Sequence, residues 1–158
     1  MTTLRTIEGD LLARDARIAI VAARFNEFVV ERLVAGAVDA LLRHGASEKS
    51  IEIVRVPGAF DMPLAVRRLA FSKRYDLIVA LGAVIKGATA HFDFVAGECA
   101  AGLARAGLDS GVPVGFGVLT CDTLEQAIDR AGGKSGNKGG DAALAALEMA
   151  NLLKRLDT

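Results

Sequence analysis

The chain has 158 residues, 52% hydrophobic and 24% charged, and its 19 basic and 19 acidic side chains give a formal net charge of zero. That length suits one domain around one core, and the composition excludes a disordered chain. A nucleic-acid binder shows a basic excess that is missing here, and no window reaches the ~18 uninterrupted apolar residues of a membrane span.

Met1 to Asp10 has no apolar h-region, so no signal peptide is expected. The first β-branched run, Arg17 to Ala23, predicts a strand. Glu27 to His44 then sets Val30, Leu33, Val34, Ala37, Val38 and Leu41 on one helical stripe, with Gly45 following as a C′ residue. Next come a second strand, Ile51 to Pro57, and a shorter helix, Phe60 to Phe71. The third and fourth runs, Asp76 to Ile85 and Pro113 to Cys121, are almost continuously apolar, as strands buried on both faces are. Between them a long helix is predicted over Ala90 to Leu108. Thr123 opens another helix, with Leu124, Ala127, Ile128 and Ala131 on one face and Asp122 as an N-cap candidate.

Gly132 to Gly140 (GGKSGNKGG) reads as a flexible loop before a last helix, Asp141 to Leu153. That helix is apolar almost all round. One face can cover the sheet, and the other predicts burial against a second subunit. Alternation of strands and helices implies a parallel sheet with helices on both faces. The expected fold is an α/β, flavodoxin-like three-layer αβα sandwich with a four-stranded parallel sheet, spanning residues 1–158 as a single domain. Cys99 and Cys121 form no C-x-x-C or zinc-ligand spacing, so free thiols, no metal and a cytoplasmic setting are expected.

In an open parallel sheet, ligands bind outside the carboxyl ends of the strands. The stretch Lys86-Gly87-Ala88-Thr89-Ala90-His91 is the richest of these ends. Free backbone N–H groups where a helix starts favour an anion such as a phosphate, Thr89 adds a hydroxyl, and His91 can give and take protons near neutral pH. The same pattern would also suit an ordinary helix start with a capping Thr. Arg130, Lys134 and Lys138 recur every four residues beside the Gly-rich loop, as cations that close on an anion or as a solvated surface. Phe25 and Phe60 sit at strand ends, where an aromatic ring can stack on a flat heterocycle or simply pack in the core; Phe116 suits the core better. Asp61 could accept hydrogen bonds from a hydroxylated ligand, or serve a helix dipole. His44, before Gly45 at a helix end, suits a structural role.

Five blocks together resemble the lumazine synthase family. They are Ala23-Arg24-Phe25-Asn26, the run Val56 to Pro63, the run Gly82 to Asp93, Phe116 to Thr120, and Glu125 to Gly139 (EQAIDRAGGKSGNKG). The resemblance covers nearly the whole chain, in order. It implies a transferase of riboflavin biosynthesis that condenses 5-amino-6-(D-ribitylamino)uracil with 3,4-dihydroxy-2-butanone 4-phosphate, releasing phosphate and water, without cofactor or metal. It also implies residue roles. Phe25 stacks on the pyrimidine, Ala59, Phe60 and Asp61 hold the ribityl chain, and Ala83, Val84 and Ile85 line the pocket. Ala88 and Thr89 take the phosphate, His91 shuttles protons, and Phe116, Arg130 and Lys138 come from a neighbouring subunit. Pentamers are expected, packed into an icosahedral shell of ~60 subunits, with riboflavin synthase as a further partner. Residues 1–10 resemble an N-terminal arm that adds a strand to a neighbour's sheet. Asp61 and Lys86 stand where that family commonly has Glu and Arg. Two rival readings are a flavodoxin-like flavin carrier, disfavoured by the bulky Arg24-Phe25-Asn26, and a non-catalytic flavin- or lumazine-binding cage protein. The signature of the latter would be loss of His91 or Arg130, and both are present.

Overall fold

The computed structural model describes residues 3–158. Four strands, β1 (Ile18–Ala23), β2 (Ile51–Val56), β3 (Leu77–Ile85) and β4 (Val114–Cys121), form one parallel sheet in the order β2-β1-β3-β4. Helices α1 (Glu27–Arg43), α2 (Met62–Phe71), α3 (His91–Ser110), α4 (Leu124–Arg130) and α5 (Lys138–Leu156) complete the fold, which is the flavodoxin-like sandwich expected. Every residue of β1 is buried, as are the first eight of β3. The alternation of side chains explains why both runs are apolar throughout. Ile18, Ile20, Leu77, Val79 and Leu81 pack with α1 and α5, while Ala19, Val21, Ile78 and Ala80 pack with α2 and α3.

Local chemistry fixes the ends of these elements. α1 stops at Gly45, whose φ of 97° lets the Ala46 N–H reach back to the Leu41 carbonyl at 3.0 Å. His44 has its Nδ1 2.7 Å from the Ala40 carbonyl, a structural role as expected. Val38 on the α1 stripe is only partly buried, at the margin of the core. At α4 the cap is Thr123 rather than Asp122. Its hydroxyl accepts from the Gln126 N–H at 3.1 Å, and the Gln126 side chain accepts from the Asp122 and Thr123 N–H groups. Leu124 leaves the apolar face of that helix and is half exposed.

The Gly-rich segment is more ordered than its composition suggests. Residues Ala131–Gly133 (β5) and Gly136–Asn137 (β6) pair as a small antiparallel hairpin, and α5 begins at Lys138, inside the predicted loop. Asn137 is the reason. Its Oδ1 accepts from Gly139 and Gly140 N–H groups, capping α5, while its Nδ2 donates to the Arg32 carbonyl of α1. The glycines then serve packing. A Cβ on Gly139 would strike the Leu33 carbonyl, so α1 and α5 approach each other backbone to backbone.

Residues 3–9 carry no regular secondary structure, with Leu4 84% exposed; Met1 and Thr2 of the expected arm lie outside the described residues. The segment is tied down immediately afterwards. Asn151 of α5 donates to the Asp10 carbonyl, the Asp10 carboxylate and the Leu12 carbonyl, and Asp10 pairs with Arg14 at 2.7 Å. The Arg14 guanidinium holds the Asp10 carboxyl down at about 2. Among the described residues, no helix is long and apolar enough to cross a membrane.

Candidate active site

The sheet order reverses between β1 and β3, because β1 is followed outward by β2 on one side and β3 by β4 on the other. The crevice at their carboxyl ends is the topological switch point, where open α/β sheets bind ligands. Two adjoining cavities of about 270 and 540 Å³ occupy it. Phe25, Ala59, His91 and Val95 line both.

Local bonding explains what each element delivers. β1 leaves its ladder after Ala23, and Arg24 and Phe25 N–H groups donate to the Val56 and Pro57 carbonyls at 2.8 and 3.0 Å. These bonds hold the Phe25 backbone while its ring stays 72% exposed at the cavity mouth. β3 continues to Ile85, and Ala83, Val84 and Ile85 form the floor of the smaller cavity. The loop beyond brings Gly87 and Thr89 to the wall, and α3 then supplies His91 in its first turn. A Cβ on Gly87 would meet no atom within 4 Å, so the fold itself does not demand glycine there and the approach to the backbone stays open. Thr89 Oγ1 lies 3.4 Å from the His91 N–H, a long contact that leaves the hydroxyl largely uncommitted. Ala88 is exposed beside this wall, outside the cavity lining.

The larger cavity is walled by Pro57 to Asp61 and by Phe94. Both rings, Phe60 and Phe94, are mostly solvent-exposed. Asp61 both shapes a turn and lines the cavity. Its Oδ2 accepts the Gly58 N–H at 3.1 Å and shapes the short turn Ala59–Asp61, and its side chain still lines the cavity.

Phe116, Arg130 and Lys138 are elsewhere. They line a separate cavity of about 520 Å³ along the outer edge of β4, together with Cys121 and the start of α5. Arg130 donates to the Gln126 carbonyl at 3.0 Å, and Lys138 lies 3.5 Å from Asp141. Burial pushes the Cys121 thiol up, with Arg130 pulling against it. Lys134 is exposed in the hairpin turn and not on this lining, in keeping with the solvated-surface alternative. Phe116 is about half exposed rather than a core residue. It also lines a fourth, apolar cavity of about 580 Å³ with Leu108, Met149 and Leu153. The outward face of α5 thus joins the unpaired edge of β4 in one apolar surface.

Six lining residues were given no role from the sequence: Asn26, Pro57, Gly58, Phe92, Phe94 and Val95. For Phe94 and Val95 a signal existed. They stand three and four residues after His91 and share its helix face. Among the described residues, no group of three or more His, Cys, Asp or Glu is arranged to hold a metal ion.

The fold and this crevice define a class: a doubly wound α/β enzyme with a small-molecule site at its switch point. The comparisons with known proteins narrow it. The model of the 6,7-dimethyl-8-ribityllumazine synthase family matches residues 15–154. A protein named 6,7-dimethyl-8-ribityllumazine synthase from Nitratidesulfovibrio vulgaris (strain DP4) is 57% identical over 156 residues, covering 99% of this chain and all of that relative. The chain belongs to the 6,7-dimethyl-8-ribityllumazine synthase family and, with it, to the transferases.

Proposed function

We propose that this protein catalyses the penultimate step of riboflavin biosynthesis. It condenses 5-amino-6-(D-ribitylamino)uracil with 3,4-dihydroxy-2-butanone 4-phosphate to 6,7-dimethyl-8-ribityllumazine, phosphate and water. The observation that carries this reading is the convergence of Phe25, Ala83 to Ile85, Thr89 and His91 on one crevice, in a chain whose residues 15–154 match the family.

The geometry suits the chemistry. Phe25 offers an exposed ring face to the pyrimidine, and the floor Ala83 to Ile85 offers backbone groups to its edge. Ala59, Phe60 and Asp61 face the larger cavity, which has room for the ribityl chain. Ala88 and Thr89, at the start of α3, take the phosphate, where unpaired N–H groups and the helix dipole favour an anion. The 5-amino nitrogen attacks the ketone and water leaves as the imine forms. His91 moves the protons of that step and of phosphate departure. Holding the two reactants together contributes up to ~7–11 kcal/mol in ideal cases, and proton transfer adds typically ~10²–10⁴-fold. Positioning the two substrates therefore contributes more to the rate than proton transfer does.

Phe116, Arg130 and Lys138 act in the site of an adjacent copy, with Arg130 as the phosphate's counter-charge. Their separation from His91 within one chain supports this. So does the apolar surface around Leu108, Phe116 and Met149 beside an unpaired strand edge, which a second copy would cover. Residues 1–10 serve as the arm between copies. The assembly is a pentamer, and twelve pentamers form an icosahedral shell in which riboflavin synthase is a fitting partner. The short hairpin turn before α5 supports the shell form. The buried free thiols of Cys99 and Cys121 suit a reducing cytoplasm.

The test is direct. Purified protein is mixed with both substrates, and lumazine absorbance and phosphate release are followed together. Equal appearance of both supports the reaction, whereas binding of the lumazine with no phosphate release would make the protein a carrier or cage instead.

A further inference from the structure

Asn26 joins the carboxyl ends of β1 and β3 through its side chain. The β1–β3 ladder runs to Ala22 opposite Leu81. Past that rung β1 bends towards β2, through the Arg24 and Phe25 bonds to Val56 and Pro57, while β3 stays with β4 as far as Ile85 opposite Cys121. The two strands part, and the smaller cavity opens between them. The Ala83 carbonyl, two residues beyond the last β1 rung, is met by Asn26 Nδ2 at 2.8 Å. A side-chain amide thus stands in for a backbone N–H.

The backbone of Asn26 does a second task. Its φ of 62° and ψ of 40° are left-handed, and its carbonyl accepts from Val29 and Val30 N–H groups, both at 3.0 Å, to start α1. Few residues suit both tasks. Glycine adopts that backbone freely but has no donor. Aspartate tolerates it but can only accept, and would set a carboxylate against a carbonyl. Asparagine alone of these satisfies the turn and the strand together.

We propose that Asn26 is a positioning residue that sets the width of the slot between Phe25 and the floor Ala83 to Ile85, and so tunes affinity for the flat heterocycle. It acts through the Ala83 carbonyl, and the inference rests on the proposed reaction for the identity of that heterocycle. The slot walls are anchored separately to β2 and β4, and Asn26 is the link across them.

Two variants separate this role from helix starting. Asn26→Gly keeps the left-handed turn and deletes the donor; Asn26→Asp keeps the shape and replaces the donor by an acceptor. The parent and both variants are compared by thermal melting, by dissociation constant for 6,7-dimethyl-8-ribityllumazine from its fluorescence, and by KM for each substrate. Asn26→Gly should melt within a few degrees of the parent. The lumazine dissociation constant and the KM for the aminouracil should rise roughly five- to tenfold, the worth of one hydrogen bond, with the KM for the butanone phosphate little changed. Asn26→Asp should weaken lumazine binding at least as far. A folded variant that binds lumazine like the parent, or a parallel rise in both KM values, overturns the proposal. Because lumazine binding needs no turnover, a parent chain that binds it without making it would count against the reaction while leaving the slot test intact.

Discussion

His91 and Arg130 line different cavities of the same chain. His91 stands in the first turn of α3 and faces the crevice between the ends of β1 and β3. Arg130 ends α4 and lies along the outer edge of β4, its guanidinium on the Gln126 carbonyl. The group proposed to transfer protons and the cation proposed for the same phosphate thus line separate cavities of one copy and can be united by two.

Removing the imidazole should slow the enzyme without abolishing turnover. His91→Ala is expected to lower kcat by no more than ~10²–10⁴-fold, because the orientation of the two substrates is left in place. Steady-state kinetics on the assembled variant checks this. Complete loss of turnover with lumazine binding and assembly intact would overturn the division of labour between positioning and proton transfer.

Arg130→Ala should act on one substrate. Loss of a charge-assisted contact of ~1.5–3 kcal/mol raises the KM for the butanone phosphate by roughly tenfold or more, with the KM for the aminouracil nearly unchanged. An unaltered KM for the phosphorylated substrate would remove Arg130 from its assigned role.

Gly139→Ala tests the packing that carries α5. In an exposed helix this change gains about 1 kcal/mol. Here the new methyl strikes the Leu33 carbonyl, and forced overpacking costs about 1–3 kcal/mol. The expected result is a lower denaturant midpoint than the parent's. A higher midpoint would mean that α1 and α5 can separate without loss.

The Asp10 anchor gives a pH prediction. Its carboxyl ordinarily titrates near 3.8 and is held at about 2 in the fold, chiefly by the hydrogen bond from Arg14. A depressed carboxyl contributes its stability in full above the unfolded value, and that contribution is lost as pH falls through the folded one. The tie between residues 10–12 and Asn151 should therefore hold down to about pH 4 and weaken between about 4 and 2. NMR titration of the Asp10 carboxyl should show a midpoint near 2, and a midpoint near 3.8 would mean that Arg14 does not hold it.

The sheet was legible in the sequence because strands buried on both faces must be apolar throughout; β3 meets that expectation, whereas β4, at the sheet edge, leaves Phe116 and Thr120 exposed. The order of the strands also located the crevice, and with it Phe25, Phe60 and His91, whereas Ala59 and Ala83 came from the family resemblance. The hairpin before α5 was not legible. Glycines there look like flexibility, yet Gly139 is demanded by the approach of α1, a contact more than a hundred residues distant in sequence. Asn26 escaped for a related reason. Its partner, Ala83, is 57 residues away, and nothing local marks an asparagine as a substitute for a strand rung. Arg130, Lys134 and Lys138 were grouped by their spacing beside the Gly-rich loop, but the hairpin formed there leaves Lys134 exposed in its turn, apart from the other two.

Co-expression of His91→Ala with Arg130→Ala subunits tests whether two copies complete each site. In mixed assemblies, about a quarter of the sites should pair an intact His91 from one subunit with an intact Arg130 from the next. The co-expressed protein should recover a corresponding share of the parent's activity, well above a mixture of the two variants assembled separately. No recovery in demonstrably mixed assemblies would mean that each chain builds its site alone.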